Sequence, residues 1–161
     1  MTVYGRILIA TLGSGALLLA ALGFQYLGGL APCPLCVWQR WPHVAAVALG
    51  LLAVTVLWRL SRPLAALGAA AMGGSAGLAL YHVGIERDWW AGPAACGAPG
   101  LSGRSPEALL DEILTTPVVR CDEVAWEFLG ISMAGWNGLA SLALGAVWLW
   151  SAIAPPRVAA P

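Results

Sequence analysis

The chain has no lysine, and charged residues occupy only 10% of its 161 positions. A soluble domain carries about 25% charge, so this sequence falls outside the ordinary water-soluble class. Acids are absent from most of the chain as well: all eight lie between Glu86 and Glu127. Outside that segment run four uncharged stretches, Ile7 to Ala31, Trp41 to Trp58, Pro63 to Ile85 and Phe128 to Pro156. Each reaches or approaches the roughly 20 residues needed to cross ~30 Å of hydrocarbon. No separate soluble module and no flavin or haem motif is visible. With Arg87, Arg104 and Arg120 set against its eight acids, the polar segment carries net −5, which argues against nucleic acid as a partner.

The expected fold is therefore an all-α membrane protein, a four-transmembrane-helix bundle forming one domain over residues 1–161. Its spans lie near 7–28, 41–59, 63–85 and 130–153, joined outside by loops near 29–40 and 86–129. The first apolar run is longer than the roughly 7–15 residues of a cleaved signal peptide's core, so it reads as a retained anchor. Without lysine, the arginines alone set orientation. Arg6, Arg59, Arg62 and Arg157 flank the spans on one side, and Arg40, Arg87, Arg104 and Arg120 lie on the other. The count is a tie, but the first four sit in short connections and tails, where positive charge most strongly favours the cytoplasm. Both termini are then cytoplasmic, and every cysteine faces the oxidising side, where disulfides persist.

Smaller signals complete this reading. Ser105-Pro106 opens a short helix in the second outer loop, by the N-cap and N1 preferences, and Pro117 ends it. Its apolar side (Leu109, Leu110, Ile113, Leu114) suits the membrane surface, while its acidic side suits a soluble partner. Gly73 and Gly77 form a G-x-x-x-G that permits close helix packing in lipid. Trp38, Trp41, Trp89, Trp90, Trp126 and Trp136 mark the outer interface, and Trp58, Trp148 and Trp150 the inner one.

The chemistry lies in four cysteines. Cys33 and Cys36 form a C-x-x-C between Pro32 and Arg40, and Cys96 and Cys121 sit 25 positions apart in the polar segment. C-x-x-C spacing lowers a thiol's pKa and favours exchange, so the first pair reads as redox-active. The cysteines could instead form two structural disulfides, although a C-x-x-C closes a very small ring. A four-cysteine zinc site fits poorly, because the second pair lacks the close spacing of a zinc knuckle.

Cys33-Pro-Leu-Cys36-Val-Trp-Gln-Arg40 resembles the DsbB family of bacterial disulfide-bond formation proteins. The segment Cys121-Asp-Glu-Val-Ala-Trp126, continuing through Met133-Ala-Gly-Trp136-Asn137, is similar to that family's approach to its last span. The resemblance implies a bacterial inner-membrane enzyme that reoxidises a periplasmic thioredoxin-like oxidase of the DsbA type and reduces a quinone, ubiquinone or menaquinone. The DsbA–DsbB–quinone system is already known to keep the periplasm oxidising. By that resemblance Cys96 meets the partner, Cys121 is its disulfide mate, and Cys33 and Cys36 pass the electrons on, with Cys36 beside the quinone. Arg40 matches the family's quinone-site arginine, and His82 and Met133 occupy positions similar to pocket neighbours. His43 is outside the family motif, and Gln39 stands where some members carry an acid.

Potentials require the C-x-x-C here either to be unusually oxidising or to be drained by a strong acceptor. Running electrons from a DsbA-type pair near −120 mV to a thioredoxin-type pair near −270 mV is uphill by roughly 7 kcal/mol. A membrane quinone can drain such a pair. Arg40 also has a plainer reading, as a snorkelling side chain at a helix end, and His82 as an interfacial polar residue. The vitamin K epoxide reductase family shares a quinone–thiol logic, but its C-x-x-C follows its loop cysteines, whereas here it precedes them. A non-enzymatic tetraspan scaffold braced by disulfides would need no arginine beside the C-x-x-C.

Overall fold

The computed structural model describes residues 1–93, 96, 105 and 119–154. The expected short helix at 105–117, along with Arg104 and Arg157, lies outside the described residues, Ser105 excepted. Four helices dominate: α1 (Val3–Tyr26), α3 (Arg40–Thr55), α4 (Ser61–Glu86) and α5 (Met133–Ile153), with a five-residue α2 (Pro34–Trp38) before α3. A 3-10 turn, Trp58–Leu60, joins α3 to α4. Helix α1 packs against α3 and α5, and α4 packs against α3 and α5. Three of the helices, Val3–Tyr26, Met133–Ile153 and α4 with its preceding turn, are long and apolar enough to cross a membrane. Helix α3, at 16 residues, is shorter.

Local chemistry shifts the expected boundaries. Thr2 caps α1 by accepting from the Gly5 amide at 3.1 Å, so the helix starts at Val3 rather than near residue 7. The last helix starts at Met133, because a hairpin precedes it. Its strands are β1 (Glu127–Phe128) and β2 (Ile131–Ser132), antiparallel, with Glu127 opposite Ser132. Leu129 (φ 54°) and Gly130 (φ 73°) form the two-residue turn, and positive φ at both central positions matches the twist of the strands. Ser132 then caps α5 through the Gly135 amide.

The outer faces of the helices are apolar, with Leu12, Leu19, Leu67, Leu80, Leu142 and Leu149 exposed, as a lipid solvent requires. Inside, Ile7, Ala10, Ala46, Ala53, Leu64, Ala65, Met72 and Trp148 form one core. Trp148 is therefore no interface anchor: it is fully buried, and its ring fills the space left by Gly68. Gly73 and Gly77 meet no other helix of this chain, since a Cβ at either would have nothing within 4 Å. Close approach falls instead at Gly68 on Trp148, Gly138 on Ala79 and Gly145 on Met72 between α4 and α5, and at Gly50 on Thr11 between α1 and α3. The far end from the cysteines gathers Arg6, stacked 4.5 Å above the Trp150 ring, and Arg62, which donates to the Ala154 carbonyl.

These contacts separate two glycines of one helix. A Cβ at Gly68 would sit 2.6 Å from the Trp148 ring, which has no room to retreat. Gly68→Ala is expected to destabilise the protein by about 1–3 kcal/mol, the usual effect of overpacking. Gly73→Ala should be neutral or slightly stabilising, through helix propensity. Thermal unfolding of both variants in detergent checks the contrast.

Candidate functional site

Cys33 and Pro34 define how the C-x-x-C is held. Cys33 is extended (φ −71°, ψ 165°) and caps α2, its sulfur accepting from the Cys36 amide at 3.1 Å. Pro34 occupies the first helical turn, where its fixed φ suits a helix start and its missing N–H goes unneeded. One helical turn then brings the Cys36 sulfur to 2.7 Å from that of Cys33. Cys33 is buried and Cys36 half-buried, and neither is bonded to another cysteine. The Cys33 thiol donates to the Cys36 sulfur, the chief reason that the Cys36 thiol is lowered to about 7. Burial opposes that shift and Arg40 assists it. Cys33, holding the shared proton and buried, is pushed up. The Cys36 amide favours charge on Cys33 instead, but one backbone donor does not outweigh the thiol–thiol bond.

Cys96 and Cys121 form a disulfide. It is buried and packs in one cluster with Cys33, Leu35 and Ile85, with Cys36 and Val119 at its edge. The Cys121 sulfur, the Cys33 sulfur and a ring nitrogen of His82 all lie within 4.8 Å of one another. The second pair is thus stacked on the first. The same three atoms are a donor set of the kind metals use, but the disulfide takes up the Cys121 thiolate that such a site would need.

His82 reaches this cluster from α4, its Nε2 lying 3.6 Å from the Cys33 sulfur and 3.9 Å from Glu86 Oε1. Glu86 in turn accepts from the Ser132 hydroxyl, fastening the end of α4 to the hairpin. Behind His82 stands Gln39, which closes α2 and opens α3. Its Nε2 donates to His82 Nδ1 at 2.8 Å, and its Oε1 accepts from Asn137 Nδ2 at 2.7 Å. Asn137 Oδ1 lies 2.9 Å from His43 Nε2, with the Ser75 and Ser141 hydroxyls at 3.3 and 3.4 Å from the same nitrogen.

Beside this network opens a cavity of about 460 Å³. Leu17, Leu18, Ala21 and Phe24 of α1 give it apolar walls, and Trp126, Met133 and Trp136 extend them. Cys36, Gln39, Arg40, His43, His82 and Asn137 supply its polar lining. Arg40 does not extend freely into solvent: its Nη1 donates to Gln25 Oε1 at 2.8 Å, and the side chain is half-buried. The fold therefore brings Cys36, Arg40, His82 and Met133 to one cavity and sets Cys33, Cys96 and Cys121 directly behind it.

Gln39, Asn137, Ser75, Ser141 and Glu86 carry no redox motif and escape a motif-based reading. Gln39 matters most among them, because it bonds to both His82 and Asn137. The usable signal was polarity itself, since uncharged polar residues inside apolar runs are rare and need partners.

A buried, exchange-ready cysteine cluster on a membrane-type helical scaffold defines a thiol–disulfide redox protein, and the comparisons agree. The family model for disulfide bond formation protein DsbB matches residues 5–151. A disulfide bond formation protein B of Methylococcus capsulatus is 40% identical over 154 residues, covering 90% of this chain and 93% of that protein. The protein of that name in Hahella chejuensis is 35% identical over 147 residues, with 85% and 86% covered. The chain belongs to the DsbB family, a family of disulfide bond formation proteins.

The Cys36 thiol yields a pH test. Because the thiolate is the reactive form, alkylation of reduced Cys36 should rise with pH through a midpoint near 7. Cys33→Ala removes the main stabilising donor and should move that midpoint upward. Iodoacetamide rates measured in a Cys96→Ser/Cys121→Ser background read Cys36 without interference from the loop pair.

Proposed function

We propose that the protein is a thiol:quinone oxidoreductase of the bacterial inner membrane, which reoxidises a periplasmic DsbA-like dithiol oxidase. The observation that carries this reading is the stacking of the Cys96–Cys121 disulfide on Cys33, with the Cys33 and Cys121 sulfurs within 4.8 Å while Cys36 lines the cavity. In this reading both termini are cytoplasmic, the cysteine loops are periplasmic, and α3 completes a four-span bundle. At about 1.5 Å rise per residue, its 16 residues reach about 24 Å, and α2 and the 3-10 turn extend it at either end.

A partner thiolate attacks Cys96, forming a mixed disulfide and releasing Cys121 as thiolate. The partner's second thiol then expels Cys96, so the partner leaves oxidised and the loop pair holds two electrons and the two thiol protons. Cys121 attacks Cys33 of an oxidised C-x-x-C, expelling Cys36, and Cys96 then attacks Cys121. The loop disulfide is restored and Cys33–Cys36 is left as a dithiol. A quinone, when bound, accepts those two electrons with two protons. The cavity suits it: apolar walls for a quinone ring and its isoprenoid tail, the Cys36 sulfur as donor, and Arg40 as a cation that would meet a ring oxygen. Arg40 also holds Cys36 toward its thiolate. His82 shares the Cys33 environment, and Met133 packs at the cavity wall.

With Cys121→Ala the resolving thiol is missing, so the mixed disulfide between Cys96 and a reduced DsbA-like protein should accumulate on non-reducing gels. Steady-state oxidation of the partner should be nearly lost. Fast turnover by this variant would make the loop pair structural and overturn the relay.

Arg40 contributes a charge-assisted hydrogen bond worth about 1.5–3 kcal/mol. Arg40→Ala should therefore weaken quinone use by roughly ten- to a hundredfold, with Arg40→Lys intermediate because it keeps the charge and loses the planar fork. The apparent KM for quinone in folded variants is the measurement; an unchanged KM would leave Arg40 as a helix-end anchor.

A further inference from the structure

A zinc site made of the four cysteines fails on spacing, because Cys96 and Cys121 lie too far apart in sequence. The fold supplies a different fourth ligand. The Cys33 sulfur, the Cys121 sulfur and a ring nitrogen of His82 lie within 4.8 Å of one another, and all three residues are buried. His82 Nε2 is 3.6 Å from the Cys33 sulfur, and the Cys36 sulfur is 2.7 Å from that same sulfur. Three sulfurs and one imidazole nitrogen thus converge from the start of α2, from α4 and from the segment before the hairpin. C-x-x-C is itself a spacing that zinc sites use for two of their ligands.

Oxidation state decides whether the set is available. While Cys121 is bonded to Cys96 it has no thiolate to offer, whereas Cys33 and Cys36 are already free. Reduction of the loop pair frees the Cys121 sulfur beside them. Zinc holds sulfur at about 2.3 Å and nitrogen at about 2.0 Å, which puts neighbouring tetrahedral ligands roughly 3.5–3.8 Å apart. The His82–Cys33 separation already meets that spacing. Cys33 and Cys36 must open by about 1 Å, and two thiolates that no longer share a proton repel each other in that direction. A metal on His82 Nε2 leaves the proton on Nδ1, which faces the Gln39 amide at 2.8 Å. The Gln39 and Asn137 amides, turned over together, accept that proton and keep the rest of the network paired. Such an outer partner orients a ligating histidine. Arg40, lining the cavity with Cys36, offsets the single negative charge of three thiolates on Zn2+.

From this geometry we propose that the protein, once its loop disulfide is reduced, binds one Zn2+ through Cys33, Cys36, Cys121 and His82, and that the metal arrests it in the reduced state. Binding is acid–base chemistry with no electron transfer: three thiols release three protons, and Zn2+ takes three thiolates and a neutral imidazole. The two electrons that open the loop disulfide come from a dithiol, whose own thiols close to a disulfide. With Cys33, Cys36 and Cys121 all on the metal, none of them is free to attack a disulfide. The disulfide form lacks one corner of the site, so the metal selects the reduced protein. The inference needs the thiols and His82, and is independent of the quinone.

Co2+ is the spectroscopic probe and Zn2+ its competitor, both added anaerobically to the full chain in detergent. Fully reduced wild type should take up one Co2+ per chain, with thiolate-to-cobalt charge-transfer bands and the visible bands of a tetrahedral site, and Zn2+ should displace it. Cys96→Ser, which leaves Cys121 permanently unpaired, should do the same. Cys121→Ser and His82→Ala should each weaken Zn2+ binding by at least about a hundredfold, beyond the roughly 10–100-fold that loss of an outer partner costs. Saturating Zn2+ should also stop oxidised glutathione from re-forming the Cys96–Cys121 disulfide, and chelation should restore it. Absent thiolate bands in reduced wild type, or Zn2+ affinity unmoved by either ligand substitution, overturns the site. Disulfide re-formation at the metal-free rate overturns the arrest. Should His82→Ala or Cys121→Ser fail to fold, wild type and Cys96→Ser decide, since both keep every ligand: bands missing from both sink the proposal. Oxidation of a reduced DsbA-like protein without added metal tests the relay separately, so failure here leaves that reading standing.

Discussion

Everything at the cysteine end depends on one two-sided amide. Gln39 stands between α2 and α3, donates to His82 on α4 and accepts from Asn137 on α5. In a scaffold whose outer face is apolar, burying polar atoms gives no free energy by itself, and an unpaired one is penalised. The amide therefore ties three helices together, because its two ends bond to α4 and α5 at once. Cys33 takes its surroundings from that tie: His82 is held against its sulfur, and α2 begins where the Cys33 cap allows it. A substitution at Gln39 would be felt on both α4 and α5.

The two cysteine pairs use the scaffold differently. The C-x-x-C is built into a helix start, so its geometry follows from local backbone. The Cys96–Cys121 disulfide comes from the polar segment and is held by burial against Leu35 and Ile85. Thiol exchange needs sulfurs in contact range, not long-range coupling, and burial of the contact excludes water and stray thiols. On the proposed reading, the half-buried Cys36 faces the cavity and the buried Cys33 faces the loop pair. Each sulfur of the C-x-x-C then has a separate task, and the lowered pKa falls on the one that meets the acceptor.

The sequence made the family, the cysteine pairs and the long helices legible, because charge depletion and C-x-x-C spacing are strong local signals. It misread features that depend on which side of a helix faces inward. Trp148 was expected at the interface and is buried, and Gly73 and Gly77 were expected in a helix contact and face open space. The physical cause is common to both. Inside lipid a helix is apolar all round, so hydrophobic periodicity no longer marks the inner face. The informative residues are then the small and the polar ones. Gly68 and Gly50 locate close contacts that Gly73 and Gly77 do not, and Ser75, Asn137 and Ser141 point to the interior.

The same reasoning explains why a histidine can stand at position 43 in an otherwise apolar helix. Its Nε2 side is satisfied entirely within the protein, by three oxygens drawn from α4 and α5. That leaves Nδ1 as a buried atom with no partner among the described residues. A hydrophobic residue there would remove the orphan and would strand the Asn137 oxygen, together with its share in the chain through Gln39 to His82 and Cys33. His43 is thus tied to Cys33 by the need to pair amides.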